Sequence, residues 1–527
     1  MKKIMCLIFC LVITAVSWSQ DLFIALGGEI TTSPGGVLYA GNDVTIDSGG
    51  SLTTISNEDA SGSFIVNGNS TGQIVYKRYV TSSGDPAVDA DWHLVSAPVM
   101  NQSIPDFVND TGNEVFHNSV SNNYGVSYYN NTNSINKRWT YHNTAPTLEN
   151  QEILTKFTKG QGYSMIRSSN GYYTFTGEVA NSDVGVQIPF NKSGTHFWSC
   201  IGNPFPSFLP ANESANATEN VLKDNINKLD PNFASFYVWN GVDYDPIRNS
   251  DPAFQLSPGQ SFMVRAKSLS EPQFVFKKNL QNHNGGTTTF YRSSSSEPTI
   301  VVHLTNGAVN KTTKIEFLDI ATMGLDPGYD AGAYKDGASS FYLHTHLVSD
   351  SQGVDFTIQT LPTSALDRPV AIPLSINAAI KERLTFSVVA NNISDGVAVY
   401  LEDALNNTFT NLRDTPLEII TTSPLQGIGR FYIHTSSSPL NVENKQVDHI
   451  LNVYKTANRT LKILGLNAQG NASLKIYNIN GREVLTKSFV AQRIKEISLP
   501  GSLSTGVYVV RVVSEDGDFL HKKIRIE

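Results

Sequence analysis

Short stretches in which apolar and polar side chains alternate recur along almost the whole chain. They are rich in Val, Ile, Thr, Tyr and Phe and are separated by Gly, Asn, Asp and Ser, a pattern typical of β-strands joined by turns. Residues 220–229 differ, because Val221, Leu222 and Ile226 recur at helical spacing and Pro231 follows as a stop. The pattern predicts an all-β protein made of several β-sandwich domains, with one short helix.

The first segment, residues 20–73, is rich in Gly, Ser and Thr. The pairs Gly35-Gly36 and Gly49-Gly50 lie 14 residues apart, and each precedes an alternating stretch. Glycine pairs permit sharp corners, so the repeat suggests a short stack of β-coils. A meander of hairpins fits two copies equally well.

The length of 527 residues requires several domains. Within residues 74–292 a second repeat joins residues 159–163 (KGQGY) to residues 258–262 (PGQSF), and we interpret both as equivalent turn-strand units of one or two sandwich domains. Serine-rich and proline-containing stretches mark the predicted linkers. The predicted order is a sandwich region at 74–292, a linker at 293–298, a sandwich domain at 299–434, a linker at 435–448 and a final domain at 449–527.

The final domain has the clearest strand pattern. Apolar and polar residues alternate to the chain end, and Asn480-Gly481 is a strong hairpin-turn pair. The segment predicts a compact antiparallel sandwich of about seven strands, with an immunoglobulin-like architecture.

Four stretches of this domain resemble the type A C-terminal sorting domain of the bacterial type IX secretion system. They are residues 451–454 (LNVY), 475–484 (KIYNINGREV), 503–512 (LSTGVYVVRV) and 522–526 (KKIRI). The resemblance implies transit through the periplasm, recognition of the tail by an outer-membrane translocon, and removal of the tail by a sorting peptidase within the 435–448 linker. An ordinary immunoglobulin-like domain is the alternative. Residues 92–98 (WHLVSAP), 202–207 (GNPFPS) and 317–329 resemble other large surface cargo proteins of this system.

The N-terminus has the pattern of a signal peptide, residues 1–19. Lys2 and Lys3 precede an apolar run over residues 4–16, and Ser17 and Ser19 place small residues before the cut. The run is shorter than the roughly 18 residues that a bilayer span needs, and no later segment supplies one. We therefore expect an exported mature chain without a transmembrane segment. It retains Cys200 and no other cysteine, which excludes an internal disulfide.

The formal net charge is −8, and removal of the two lysines makes the mature chain more acidic. An acidic surface without a basic patch repels phosphates, so nucleic acid is not an expected partner.

Three polar motifs have alternative interpretations. Residues 68–72 (GNSTG) match the Gly-x-Ser-x-Gly nucleophile pattern, but a strand pattern follows where that mechanism needs a helix. His344 and His346 would share a strand face and begin a zinc site, or form a surface-facing or hydrogen-bonded pair. Asp326, Asp330 and Asp336 lie in a glycine loop that suits calcium, although Asp and Gly are also common turn residues.

Cys200 lies in a strand-like run and fits a buried apolar position better than a nucleophile. Four tryptophans of the mature chain offer flat faces to sugars, although tryptophan in a β-sandwich is more often in the core. They are Trp92, Trp139, Trp198 and Trp239.

These observations assign no catalytic, cofactor-binding or metal-binding residue. No cofactor is expected, and calcium at the aspartate loop is the alternative. We expect a type IX cargo that is secreted or displayed on the outer surface, where it binds a glycan or another surface ligand without catalysis. The alternative is a secreted polysaccharide hydrolase or lyase, whose paired carboxylates are defined by distance and not by sequence spacing. A peptidase ranks last.

Overall fold

The computed structural model describes most of the chain. The described residues are 21–189, 196–268, 273–284, 297–335, 340–367, 370–436, 451–456, 459–466, 470–492, 494–515, 517 and 519–526. The predicted signal peptide, Asp336 and most of the two predicted linkers lie outside them. Strands dominate, which confirms the all-β prediction, and no helix in the described part is long and apolar enough to cross a membrane.

The N-terminal segment is a β-coil, which resolves the alternative between a coil and a meander. Its strands pair in parallel: Leu22 pairs with Val44 and Val44 with Ser70, so successive turns of the coil take 22 and 26 residues. The strands are β1 (Leu22–Ile24), β2 (Glu29–Thr32), β3 (Val37–Ala40), β4 (Val44–Ile46), β5 (Ser51–Ile55), β6 (Ser63–Val66), β7 (Ser70–Thr71) and β8 (Ile74–Val80).

The 14-residue repeat is not the turn of this coil. Gly35 and Gly49 both adopt positive φ, 74° and 88°, as corners require. They precede β3 and β5, which lie in different sheets, so the repeat joins corners of two different sides. The sheet that contains β5 continues through β8, across the predicted division at residue 73.

Residues 92–265 contain two copies of one arrangement of strands, which we call the first unit (residues 92–165) and the second unit (residues 198–265). The strands between residues 93 and 276 are β9 (His93–Val95), β10 (His117–Asn118), β11 (Asn123–Tyr129), β12 (Trp139–Asn143), β13 (Gln151–Glu152), β14 (Tyr163–Met165), β15 (Gly171–Gly177), β16 (Val184–Val186), β17 (Trp198–Gly202), β18 (Leu209–Pro210), β19 (Phe236–Trp239), β20 (Tyr244–Ile247), β21 (Gln255–Leu256), β22 (Ser261–Arg265) and β23 (Phe274–Phe276). The sheet order is β12-β11-β14-β9 in the first unit, with β13 beyond β12, and β20-β19-β22-β17 in the second.

The two units contact each other reciprocally, as subunits do across a twofold axis. The backbone N–H of Ser96 donates to Gly259 at 2.8 Å, and that of Gly202 donates to Gly160 at 2.9 Å. The predicted equivalence of the KGQGY and PGQSF turns is therefore confirmed. The structure adds a second match, residues 92–98 (WHLVSAP) with residues 198–204 (WSCIGNP), which begin with Trp and end with Pro in both units.

Helical turns are short. The predicted helix is α2 (Val221–Asn225), capped by Asn220, and it changes to a 3₁₀ turn because the Asn225 side chain takes the carbonyl of Val221. The helix α1 (Ile104–Asn109) was not predicted, although Ser103 accepts from the N–H of Asp106 as a cap. The 3₁₀ turns are Asp89–Asp91, Ile226–Lys228, Pro231–Phe233, Lys278–Leu280 and Thr363–Asp367.

Residues 299–436 form one continuous sheet that folds over itself. Strands β30 and β34 lie six steps apart in its order, about 29 Å if the sheet were flat. The rings of Phe386 on β30 and Phe431 on β34 are nevertheless only 4.9 Å apart, so the sheet closes into a sandwich. The strands are β24 (Thr299–Thr305), β25 (Asn310–Phe317), β26 (Ala331–Gly332), β27 (Tyr342–Thr345), β28 (Phe356–Leu361), β29 (Ala371–Ala378), β30 (Arg383–Asn391), β31 (Ala398–Asp403), β32 (Thr408–Asn411), β33 (Leu417–Ile420) and β34 (Leu425–Ser436).

A buried ionic network joins the second unit to this sandwich. Arg248 has no exposed side-chain surface, and its guanidinium lies 2.7 Å from Asp251 and 2.9 Å from Glu316 on β25. Tyr329 also donates its hydroxyl hydrogen to Glu213 at 2.9 Å. Removing one partner of a buried ion pair leaves an uncompensated charge, so this junction holds the two regions together.

The described part of the tail forms seven strands in two facing sheets, β35-β36-β39 and β38-β37-β40-β41, as predicted. Gly481, with φ of 75°, makes the expected turn between β37 and β38. Tyr454 packs against Ile428 and Tyr432 of the preceding sandwich. The strands are β35 (Asn452–Thr456), β36 (Thr460–Leu464), β37 (Asn471–Asn478), β38 (Glu483–Val490), β39 (Ile494–Ser498), β40 (Gly506–Ser514) and β41 (Phe519–Ile526).

Candidate functional site

A cleft of about 820 Å³ opens where the two units meet the 299–436 sandwich. One wall comes from β9 and β12 of the first unit. A second comes from the β19–β20 hairpin of the second unit, and a third from β25 and β27. Because three separate parts of the chain build it, only the folded protein contains this site.

Three indole rings line the cleft, those of Trp92, Trp139 and Trp239. Each is half-buried, and each packs against a neighbouring tyrosine, Trp139 against Tyr129 with ring centroids 5.4 Å apart. Trp92 packs edge-on against Tyr141 with ring centroids 6.0 Å apart, and Trp239 lies 5.0 Å from Tyr244.

The indole N–H groups of Trp92 and Trp239 differ in their hydrogen bonding. Nε1 of Trp92 donates to the carbonyl of Pro86 at 3.1 Å. Nε1 of Trp239 is shielded from solvent and has no hydrogen-bond partner in the described structure. A buried donor without a partner costs about 1–3 kcal/mol, so the position of the Trp239 ring is maintained by packing and not by this group.

Acidic side chains line the same cleft. Asp243 is 67% exposed, and its carboxylate lies 3.1 Å from the ammonium of Lys311 on β25. Asp245 accepts a hydrogen bond of 3.0 Å from the Asn240 side chain, and Asp89 is exposed. The cleft thus combines flat apolar faces with carboxylate acceptors, a mixture that suits polar ligands with apolar faces.

His344 closes one end of the cleft. Its ring stacks on Tyr342 with centroids 5.2 Å apart, and Nδ1 has no partner among the described residues. Burial is the main cause that lowers the pKa of His344 to about 4, so the imidazole is neutral at pH 7. It offers hydrogen bonding without charge.

The two predicted histidines make different contacts. Strand β27 ends at Thr345, so the alternation that would place both rings on one face stops before His346. His346 instead bonds through Nε2 to Asp355 at 2.6 Å and through Nδ1 to Ser351 at 3.3 Å. The hydrogen-bonded alternative is therefore confirmed for His346. The described residues contain no group of three or more His, Cys, Asp or Glu side chains that could hold a metal ion.

The aspartate loop makes structural hydrogen bonds. Asp326 accepts from the N–H of Thr322 at 2.7 Å, and Asp330 accepts from the N–H of Thr360 at 2.6 Å. Both carboxylates thereby fix the loop that carries Tyr329 and Tyr334 to the second unit. Calcium stays a prediction here, since Asp336 lies outside the described residues.

The remaining sequence candidates do not line the cleft. Ser70 is on β7 of the coil, which continues into another strand and not into a helix. Cys200 is buried, and burial raises the pKa of its thiol far above the ordinary value, so a nucleophilic thiolate is not favoured. Trp198, 2% exposed, is a core residue.

Sequence analysis missed the polar half of the cleft. Asp243 and Asp245 lie in a turn-rich hairpin, and Lys311 follows another turn. The local sequences around these residues do not differ from those of ordinary exposed turns. The match between WHLVSAP and WSCIGNP was a usable signal, because it would have revealed the two units and hence a junction between them.

Comparison with protein families gives two matches. A family model described as Domain of unknown function (DUF8693) matches residues 9–434. A model described as Secretion system C-terminal sorting domain matches residues 457–527. No curated protein matches the chain.

Proposed function

Since the chain belongs to the family described as Domain of unknown function (DUF8693) and ends in a secretion system C-terminal sorting domain, we propose that this type IX cargo binds carbohydrate in the aromatic cleft without cleaving it. The tail establishes export and secretion or surface attachment. The observation that carries the binding proposal is the cleft with its three half-buried indole rings.

The chemistry of sugars fits these walls. A pyranose ring presents a face of C–H groups that packs on aromatic rings, while its hydroxyls need carboxylate or amide partners. Trp92 and Trp239 supply ring faces from the two units, and Asp245 supplies acceptors beside them. The tyrosines that contact the indole rings are held by packing before a ligand binds. Binding therefore costs less side-chain entropy.

A glycan array probed with the purified full chain tests this proposal. We expect binding, with Trp92→Ala and Trp239→Ala each lowering the affinity about tenfold, because each change removes a stacking surface worth roughly 1.4 kcal/mol. Phe23→Ala is the matched control, since Phe23 is 60% exposed on the β-coil, away from the cleft. Absence of glycan binding, or an equal loss in the control, would contradict the proposal.

The carboxylates of Asp89, Asp243 and Asp245 favour a second candidate, a polysaccharide hydrolase. Bound glycans are therefore analysed for shortening after the array. Shortened products that Asp245→Asn abolishes while binding persists would establish the hydrolase and replace the non-catalytic role.

The export route has its own test. We propose that residues 1–19 direct the chain to the periplasm and that a sorting peptidase cuts within residues 435–448 after the translocon reads the tail. Deleting residues 449–527 should leave the protein in the periplasm, as measured by cell fractionation. Normal surface display of the truncated chain would contradict this route.

A further inference from the structure

The charges of the cleft restrict which carbohydrate it accepts. Three aspartates line it, Asp89, Asp243 and Asp245, against one lysine, Lys311. Lys311 is paired with Asp243, so two carboxylates stay uncompensated within the lining. Resting on the proposed function, we propose that the cleft selects glycans that carry positively charged amino groups, as a polymer of glucosamine does.

The other basic groups near the cleft do not reverse this balance. Lys335, next to the lining, is already paired with Asp355. Arg138 precedes the lining residue Trp139 but is only 8% exposed, and it is not part of the lining. His344 adds no positive charge at neutral pH, because burial lowers its pKa to about 4. An anionic sugar would therefore meet like charge, while an ammonium would meet two carboxylates.

The aromatic walls favour the same ligand. The face of an indole or phenol ring attracts a cation within about 6 Å of its centroid, most strongly for tryptophan. The protein itself uses this contact beside the cleft, where the ammonium of Lys335 lies 4.7 Å from the centroid of Tyr342. Trp92, Trp139 and Trp239 offer further faces to a sugar ammonium, which neutral sugars cannot use in this way.

The test compares three hexasaccharides on the full chain by isothermal titration calorimetry: glucosamine, N-acetylglucosamine and galacturonate. We expect the cationic hexamer to bind at least about fivefold more tightly than the neutral one and the anionic hexamer to bind most weakly. Raising the salt concentration should reduce the preference, because the charges are partly exposed.

A double variant, Asp89→Asn with Asp245→Asn, should bring the ratio of the two affinities, cationic hexamer to neutral hexamer, to about one, whatever the change in each affinity. Asp47→Asn is the matched control, because Asp47 is an exposed aspartate of the β-coil outside the cleft. A preference that survives the double variant, or that the control also loses, would contradict the role assigned to the two carboxylates.

The outcomes separate this inference from the proposed function. Equal binding of all three hexamers, or tightest binding of galacturonate, overturns charge selection and leaves carbohydrate binding intact. If no carbohydrate binds, both proposals fail. Hexalysine is the fourth arm, and its binding as tightly as the glucosamine hexamer would show selection for cationic groups in general and overturn the assignment to a glycan.

Discussion

Trp92 and Trp198 occupy the same position in the two units, yet one lines an open cleft and the other is core. Each is the first residue of the stretch that begins with Trp and ends with Pro. Trp92 lies just before β9, Trp198 is the first residue of β17, and each of these strands forms a β-bridge to the other unit. Trp198 is only 2% exposed, while Trp92 is half-buried in the cleft wall. The comparison teaches that a repeated motif conserves its strand pairing and not the surroundings of its side chains.

The difference comes from the 299–436 sandwich and from aromatic residues of the second unit. The 299–436 sandwich sends Tyr334 onto Trp198, with ring centroids 4.7 Å apart, and Phe233 and Tyr237 pack on other edges. Trp92 has Tyr141 as its ring neighbour and otherwise faces the cleft. Tyr334, in the loop that follows Asp330, thus contributes to the burial of Trp198.

The largest effect should separate the two tryptophans directly. Trp198→Ala should lower the free energy of unfolding by about 3–5 kcal/mol, because it leaves a large cavity in an aromatic cluster. Trp92→Ala should cost about 1 kcal/mol or less, since part of that ring faces solvent. Denaturant unfolding of both variants measures the difference, and equal losses would show that the two environments are not distinct.

The second effect concerns the loop that covers Trp198. Burial is the main cause that raises the pKa of Asp330 to about 7 in the folded protein, above its ordinary value of 3.8. The folded state therefore binds the proton more tightly. This tighter proton binding contributes at most about 4 kcal/mol to the free energy of unfolding. The contribution is complete below about pH 4 and is lost as the pH rises through about 7.

Thermal unfolding of the wild type and of Asp330→Asn between pH 4 and 8 measures this contribution. The difference in stability between the two chains should change over that range, because the variant has no carboxyl to ionise at this position. A difference that stays constant with pH would contradict the raised pKa.

The smallest effect tests the reciprocal contacts between the units. Gly259 has φ of 68°, and an added Cβ would lie 2.8 Å from the carbonyl oxygen of Ser96. Gly259→Ala should cost about 1–3 kcal/mol through backbone strain and this clash. Gly307→Ala is the control, since Gly307 has φ of 89° with nothing within 4 Å of its Cβ. Equal losses in a denaturant titration would assign the whole effect to φ and none to the contact between units.

Much of the fold followed from local patterns. Alternation predicted the strands, Asn480-Gly481 predicted its hairpin turn, and the KGQGY and PGQSF turns predicted equivalent units. The β-coil was predicted from a 14-residue repeat that is not a turn of the coil, because Gly35 and Gly49 mark similar corners on two different sides of the coil. The helix near Asn220 was predicted too long, since the Asn225 side chain competes for the carbonyl of Val221.

The sequence by itself determined the strand-rich architecture and the type IX export tail, because strand alternation, turn residues and the tail motifs are properties of neighbouring residues. Only the tertiary structure decided that Trp92, Trp239 and Asp245 share a cleft while Trp198 is buried. Those positions are far apart along the chain, and their proximity depends on how the two units pack against the sandwich. Burial and charge pairing are set by that packing, so one motif produces a core residue in one unit and a binding surface in the other.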